Sequence, residues 1–132
     1  MRRYPVIAAL IGAACATSPT AIRLDQDFEL KVGETALLPG NTAQLTFQAV
    51  TGDSRCPVDV VCVWAGSAPV VLRLQHSPTD TVATVDAVQG KRELVAAGYR
   101  IEVRALKPEA RSGQPIPAGG YSVVLRASVL QL

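Results

Sequence analysis

His76, Ser77 and Asp80 are the residue types of a nucleophilic hydrolase gathered on one short segment, and His76 is the only histidine in the chain. Such chemistry needs a nucleophile, a base and an orienting carboxylate in line, which three near neighbours on a turn cannot form, and no strand-to-helix nucleophile elbow surrounds Ser77. Metal chemistry is equally thin. One histidine and two cysteines expected to be oxidised leave no soft-ligand set, and the acidic residues are dispersed without a calcium-loop spacing. Gly119-Gly120 precedes a strand pattern and no helix, so it is no phosphate cradle. Carboxylate pairs for glycoside chemistry can meet from distant strands, and nothing in the sequence points to one. The expectation is a chain with no catalytic residue, no metal and no cofactor.

The rare residues collect elsewhere. Asp53-Ser54-Arg55-Cys56-Pro57-Val58-Asp59-Val60-Val61-Cys62-Val63-Trp64-Ala65-Gly66 holds two of three cysteines and the only tryptophan. In an exported protein Cys56 and Cys62 read as a disulfide. Closing so short a loop is worth about 2 kcal/mol in the chain-entropy model, so its value lies in local shape. Pro57 fixes its own φ and pushes Cys56 toward extended geometry. Asp53 can bond the backbone N–H groups of its turn, and Arg55 can close a bidentate pair with Asp59 or with Asp53. A strand is expected over Val60 to Ala65, with Cys62 and Trp64 on one face. Two roles stay open for Asp53, Arg55, Asp59 and Trp64: a salt-bridged turn leading into the core, or a rigid recognition edge.

Export is read from the N-terminus. Arg2 and Arg3 precede the apolar run Val6 to Ala14, followed by small residues, the layout of a signal peptide over residues 1–14. The run is about half the length that crosses a bilayer. Two cuts fit. Ala14-Cys15-Ala16 suits ordinary signal peptidase and would leave Thr17 first. Gly12-Ala13-Ala14-Cys15 resembles a bacterial lipobox, with Gly12 where Leu is usual, and would leave Cys15 carrying a diacylglyceryl group. Residues 15–24 would then be a lipidated or flexible tether, and residues 25–132 a single domain. The expected location is the outer membrane or cell surface, or the periplasm or exterior in soluble form.

Removing residues 1–14 takes away Arg2 and Arg3 and no acid, so thirteen basic residues become eleven against eleven acidic ones. The net charge of +2 thus belongs to the leader. No basic stripe remains to attract nucleic acid. Membrane contact is expected only through the N-terminal lipid, and the domain is expected to be a monomer.

Beyond residue 20 the apolar period is two. Phe28-Leu30-Val32, Leu45-Phe47-Ala49, Tyr99-Ile101-Val103-Ala105 and Tyr121-Val123-Leu125-Ala127-Val129 alternate with polar residues, as half-buried strands do. Further strands are expected at Glu34 to Leu38, Pro69 to Gln75 and Thr81 to Val88, while 91–97 fits either one helical turn or a short strand. With Val60 to Ala65 this makes about eight strands, punctuated by turn signals such as Val32-Gly33, Gly52-Asp53, Ser77-Pro78 and Ala97-Gly98. Alternating strands with one wet face call for an all-β antiparallel two-sheet sandwich, immunoglobulin-like, or for a small closed barrel. The segment 107–120 is the longest irregular stretch and is expected to cross one end of the sandwich.

The motif Asp53-Ser54-Arg55-Cys56-Pro57-x-Asp59-Val60-x-Cys62-Val63-Trp64-Ala65-Gly66 resembles a signature of small bacterial exported proteins and lipoproteins that are generally uncharacterised. The similarity runs from Phe28-Glu29-Leu30-Lys31-Val32-Gly33-Glu34-Thr35 to Ile116-Pro117-Ala118-Gly119-Gly120-Tyr121. It implies an exported all-β domain, supports the disulfide, and brings no activity or site residue.

Three functions follow as expectations. A binding or accessory module would hold an envelope protein or glycan through loops at one sandwich end or an unpaired sheet edge. A secreted hydrolase inhibitor would present the bridged 56–62 loop and needs Val58, Asp59 and Val60 to protrude. An enzyme would need a pocket joining titratable groups of shifted pKa. Of the three, the sequence favours the binding module.

Overall fold

The computed structural model describes residues 18–40 and 43–130, so the signal segment and Cys15 lie outside the described residues. The described residues form nine strands: β1 (Thr20–Ala21), β2 (Asp27–Lys31), β3 (Thr35–Leu37), β4 (Gln44–Val50), β5 (Pro69–His76), β6 (Thr79–Asp86), β7 (Glu93–Ala96), β8 (Tyr99–Lys107) and β9 (Ser122–Val129). They make two sheets, ordered β1-β3-β4-β5-β6 and β2-β9-β8-β7. This is the two-sheet sandwich expected from the alternation, and not a closed barrel. Within that class the chain meanders: β3 to β6 are successive neighbours in one sheet, and β7, β8 and β9 in the other, with β2 closing beside β9. Every pairing is antiparallel except β1 with β3.

The period-two pattern explains the core. Leu45 and Phe47 of β4, Val70, Leu72 and Leu74 of β5, Ile101 and Val103 of β8, and Val123, Leu125 and Ala127 of β9 are all buried between the sheets. Fully burying each large apolar side chain contributes about 1.5–3 kcal/mol. Outward neighbours stay wet: Asp27 of β2 accepts from Arg126 Nε of β9 at 2.8 Å, and Lys107 lies 3.4 Å from Glu29. Two irregularities reset the phase. A register shift between Val103 and Ala105 hands the inward position to Leu106, and one between Phe47 and Ala49 leaves Ala49 half-buried.

Of the two readings open for 91–97 the structure selects the strand, over residues 93–96, because their backbone pairs with β8. Two departures from the sequence reading have physical causes. Paired structure begins at Thr20, and Ile22 and Leu24 pack against the core, so the boundary drawn at residue 25 falls inside the sandwich. Val60 to Ala65 is no strand: β4 and β5 pair directly out to Val50 and Val70, which leaves residues 51–68 as a long hairpin loop without a partner ladder.

The β7–β8 hairpin closes through Ala97 and Gly98, both at positive φ (52° and 80°), as a two-residue turn of this hand requires. Ala97 holds this conformation against its Cβ. Replacing it with glycine, Ala97→Gly, is expected to raise unfolding stability by about 0.5–1 kcal/mol in urea denaturation, the relief of left-handed strain exceeding the added chain entropy.

Candidate functional site

The loop 51–68 stands at one end of the sandwich, and its polar and apolar residues separate. At the base, Asp53 receives Arg55 Nε at 2.8 Å and Nη2 at 2.7 Å, a bidentate pair, while the Arg55 backbone N–H donates to the same carboxylate at 3.2 Å. Arg55 Nη1 donates to the Leu106 carbonyl at 3.0 Å, and the Tyr121 hydroxyl to Asp53 Oδ2 at 3.0 Å. The loop of one sheet is thereby tied to the ends of β8 and β9 in the other. The Arg55 and Asp53 side chains are only 12% and 16% exposed, which lifts this pair above the near-zero value of surface ion pairs. Of the two partners open to Arg55, the structure selects Asp53.

Asp59 is employed differently. Its Oδ1 accepts the Ser112 N–H at 3.0 Å, and the Val58 N–H donates to the Ala110 carbonyl at 2.9 Å. These bonds dock the bridged segment on the 108–117 loop. Cys56 and Cys62 form the expected disulfide, their Cα atoms 5.9 Å apart. Such bridges persist in oxidising compartments, which fits an exported chain. Among the described residues no helix is long and apolar enough to cross a membrane.

Above this base the loop turns its apolar side chains outward. Val61, Val63 and Trp64 are 101%, 91% and 71% exposed, and Val58 and Val60 are exposed beside them. The expectation that Trp64 lines a strand with Cys62 and leads the turn into the core is therefore corrected. With β4 and β5 already paired and the bridge pulling Cys62 back to Cys56, this segment has no sheet to join. Val58, Asp59 and Val60 protrude, as the inhibitor reading required.

The loop returns to β5 through a tight crossing. Ser54 N–H donates to the Ser67 carbonyl at 2.8 Å, Ser67 N–H to Ser54 Oγ at 3.0 Å, and Cys56 N–H to the Ala65 carbonyl at 3.4 Å. Gly66 sits in this crossing at φ +81°, where an added Cβ would lie 1.9 Å from the Ser54 carbonyl oxygen. Next to it, Asp86 accepts bonds from Ser67 Oγ and from the Ala68, Val88 and Gln89 N–H groups. Tyr121, Gly66, Ser67 and Asp86 were absent from the sequence-derived site. Tyr121 read as the first core position of a strand, and nothing in the sequence linked it to Asp53.

The electrostatics suit a structural base. Arg55 beside Asp53 holds that carboxyl below the usual carboxylate range against the opposing effect of burial, and Asp53 in turn raises Arg55. Burial, with Asp53 as acceptor, pushes the Tyr121 phenol up. For Asp86, burial works upward, but the bonds from Ser67 and the three backbone N–H groups outweigh it and the net shift is down. A shallow groove of about 410 Å³ lies between Asp53, Arg55, Pro57 and residues 110–116. Of the three charged residues that line it, Asp53 and Arg55 are shifted toward permanent charge, whereas an acid or base at work needs a pKa near the operating pH. Elsewhere, Asp80 is taken by Arg73 at 2.6 and 2.9 Å, away from a line through His76 and Ser77. Among the described residues no cluster of three His, Cys, Asp or Glu is placed to hold a metal.

Comparison with protein-family models, with curated proteins and with solved structures gives no match to this chain.

Two outcomes test the base. Because the folded-state pKa of Asp53 lies below its unfolded value of about 3.9, its contribution is present above pH 4 and is lost as pH falls through the folded value. Asp53→Asn should cost about 1–3 kcal/mol at pH 7 and flatten the acid limb of stability against pH in denaturant titrations. Gly66→Ala should cost at least about 2 kcal/mol in the same assay, since both the clash and the positive φ oppose it.

Proposed function

We propose that this chain is a non-catalytic binding or accessory module of the cell envelope whose recognition surface is the tip Val58 to Trp64. One observation carries the reading: five large apolar side chains stand in water on a loop that is closed by a disulfide and hydrogen-bonded at its base. Folding alone gives no reason to leave a tryptophan and four valines in water. Clustered exposed apolar residues mark interaction sites. Rigidity favours binding, because a loop already in its bound shape loses little entropy on association.

The same reading takes Cys15 as a lipid attachment point, the location as outer membrane or cell surface, and an envelope protein or glycan as the partner class. The motif's resemblance to small exported proteins and lipoproteins is in keeping with it. A secreted hydrolase inhibitor is the second reading, favoured by the protrusion of Val58, Asp59 and Val60 on the bridged loop.

The test is a photo-reactive side chain placed at Val61 in the native host. Illumination is expected to give a discrete adduct with an envelope component, reduced when Cys56 and Cys62 are both replaced by serine. If Val61 yields no adduct, with protein, glycan or lipid, the binding reading fails.

A further inference from the structure

We infer that the Val58–Trp64 tip docks in the interfacial layer of a lipid bilayer. The inference rests on the tip being the binding surface and names its partner; it adds a second membrane contact to the lipid anchor expected from the sequence.

Direction is the first argument. β1 runs parallel to β3 with Thr20 opposite Ala36, and β3 runs antiparallel to β4 with Thr35 opposite Thr46. Stepping back from Thr20 to Ser18 therefore moves along the sandwich in the same sense as stepping forward from Thr46 to Val50 and into the loop. Ser18, the first described residue, thus lies toward the end that carries the tip, and β1 is only two strand positions from β4. Strands are spaced about 4.8 Å apart, so the lateral offset is about 10 Å. Attachment of the N-terminal segment to a membrane would put the end of the sandwich that carries Trp64 nearest the lipid.

Chemistry is the second. Asp59 is the only charged side chain of the tip and is turned to the Ser112 N–H, while residues 60–66 carry no charge. The tip also offers no convergent polar side chains of the kind that orient a sugar, which disfavours a glycan. Tryptophan belongs at the headgroup level of a bilayer, apolar body inward and indole N–H toward water. Depth is bounded by the backbone: an irregular loop leaves N–H and C=O groups unpaired, which the hydrocarbon core does not tolerate, so insertion stops in the interface. The tip's one charge, Asp59, is negative and kept ionised by the Ser112 N–H, so the tip gains nothing from anionic lipid and contact should not require it.

Trp64 is the only tryptophan and reports on its own position. The full chain carrying Cys15→Ser, so that no acyl group contributes, would be mixed with phosphatidylcholine vesicles. Expected are a blue shift of Trp64 emission, protection from acrylamide, and stronger quenching by lipids brominated near the headgroup than by lipids brominated deep in the chain. Val61→Asp with Val63→Asp should weaken partitioning about tenfold or more. Both sites are almost fully exposed, so thermal unfolding should be unchanged. Trp64 staying open to acrylamide in excess vesicles would overturn the inference. So would equal partitioning of the double variant, or binding that needs anionic lipid and disappears in salt. A protein adduct at Val61 without a vesicle response would leave the binding reading standing and remove the bilayer as its partner. No adduct of any kind would remove both.

Discussion

Asp53, held by both nitrogens of one edge of the Arg55 guanidinium and by the Tyr121 hydroxyl, is the tie on which this end of the molecule depends. The two sheets of a sandwich share a core but few hydrogen bonds, so their relative position at the ends rests on the loops. Here one side chain, Arg55, joins a carboxylate of its own loop to the Leu106 carbonyl of the facing sheet. Charge-assisted bonds of this kind are roughly twice as strong as neutral ones, and partial burial spares them much of the screening that weakens surface pairs. Tyr121 adds a packing element, since its ring is buried as the first inward position before β9.

A second constraint follows from strand pairing. β4 and β5 are complementary from Gln44–Gln75 to Val50–Val70, with one irregularity, and this ladder leaves residues 51–68 outside it. A loop of that length would ordinarily be costly to order. Its order comes from local closures instead: the disulfide, the Ser54–Ser67 bonds at the crossing over Gly66, and the docking of Val58 and Asp59 on residues 110–112. The disulfide and the Ser54–Ser67 crossing each constrain a short stretch, so the entropy they remove is modest, whereas the Asp59–Ser112 bond closes a span of 53 positions.

Much of the fold was legible because period-two alternation is set by burial and is written into the residues of Leu45-Phe47, Val70-Leu72-Leu74 and Val123-Leu125-Ala127. The failures fall where a different physics governs. Val60 to Ala65 has strand composition, yet β-propensity describes a fit to a pleated, half-buried surface, and this segment has no such surface to meet. The inward position of Leu106 was hidden because a register shift breaks the alternation without any mark in composition. In the site, the disulfide was readable from the export signal, and short spacing narrowed the partner of Arg55 to Asp53 or Asp59 without choosing between them. Tyr121, 68 positions from Asp53, was not readable, because that contact exists only once the two sheets face each other.

The fourteen-residue motif thus divides into halves with different physical purposes. Asp53, Arg55, Gly66 and the cysteines spend their bonding on shape: charged groups are paired, the glycine fits a crossing that no Cβ could enter, and the bridge fixes the loop's width. The side chains of Val61, Val63 and Trp64 contribute nothing comparable to that shape, since they touch little of the protein, and Val58 joins the base through its backbone N–H. Exposure of this much apolar surface is unfavourable in water in proportion to its area. A loop free to fold over would bury it against the nearby Ile116 and the sheet end. The closures prevent that collapse, and so the stability invested in the base is what keeps the tip presented.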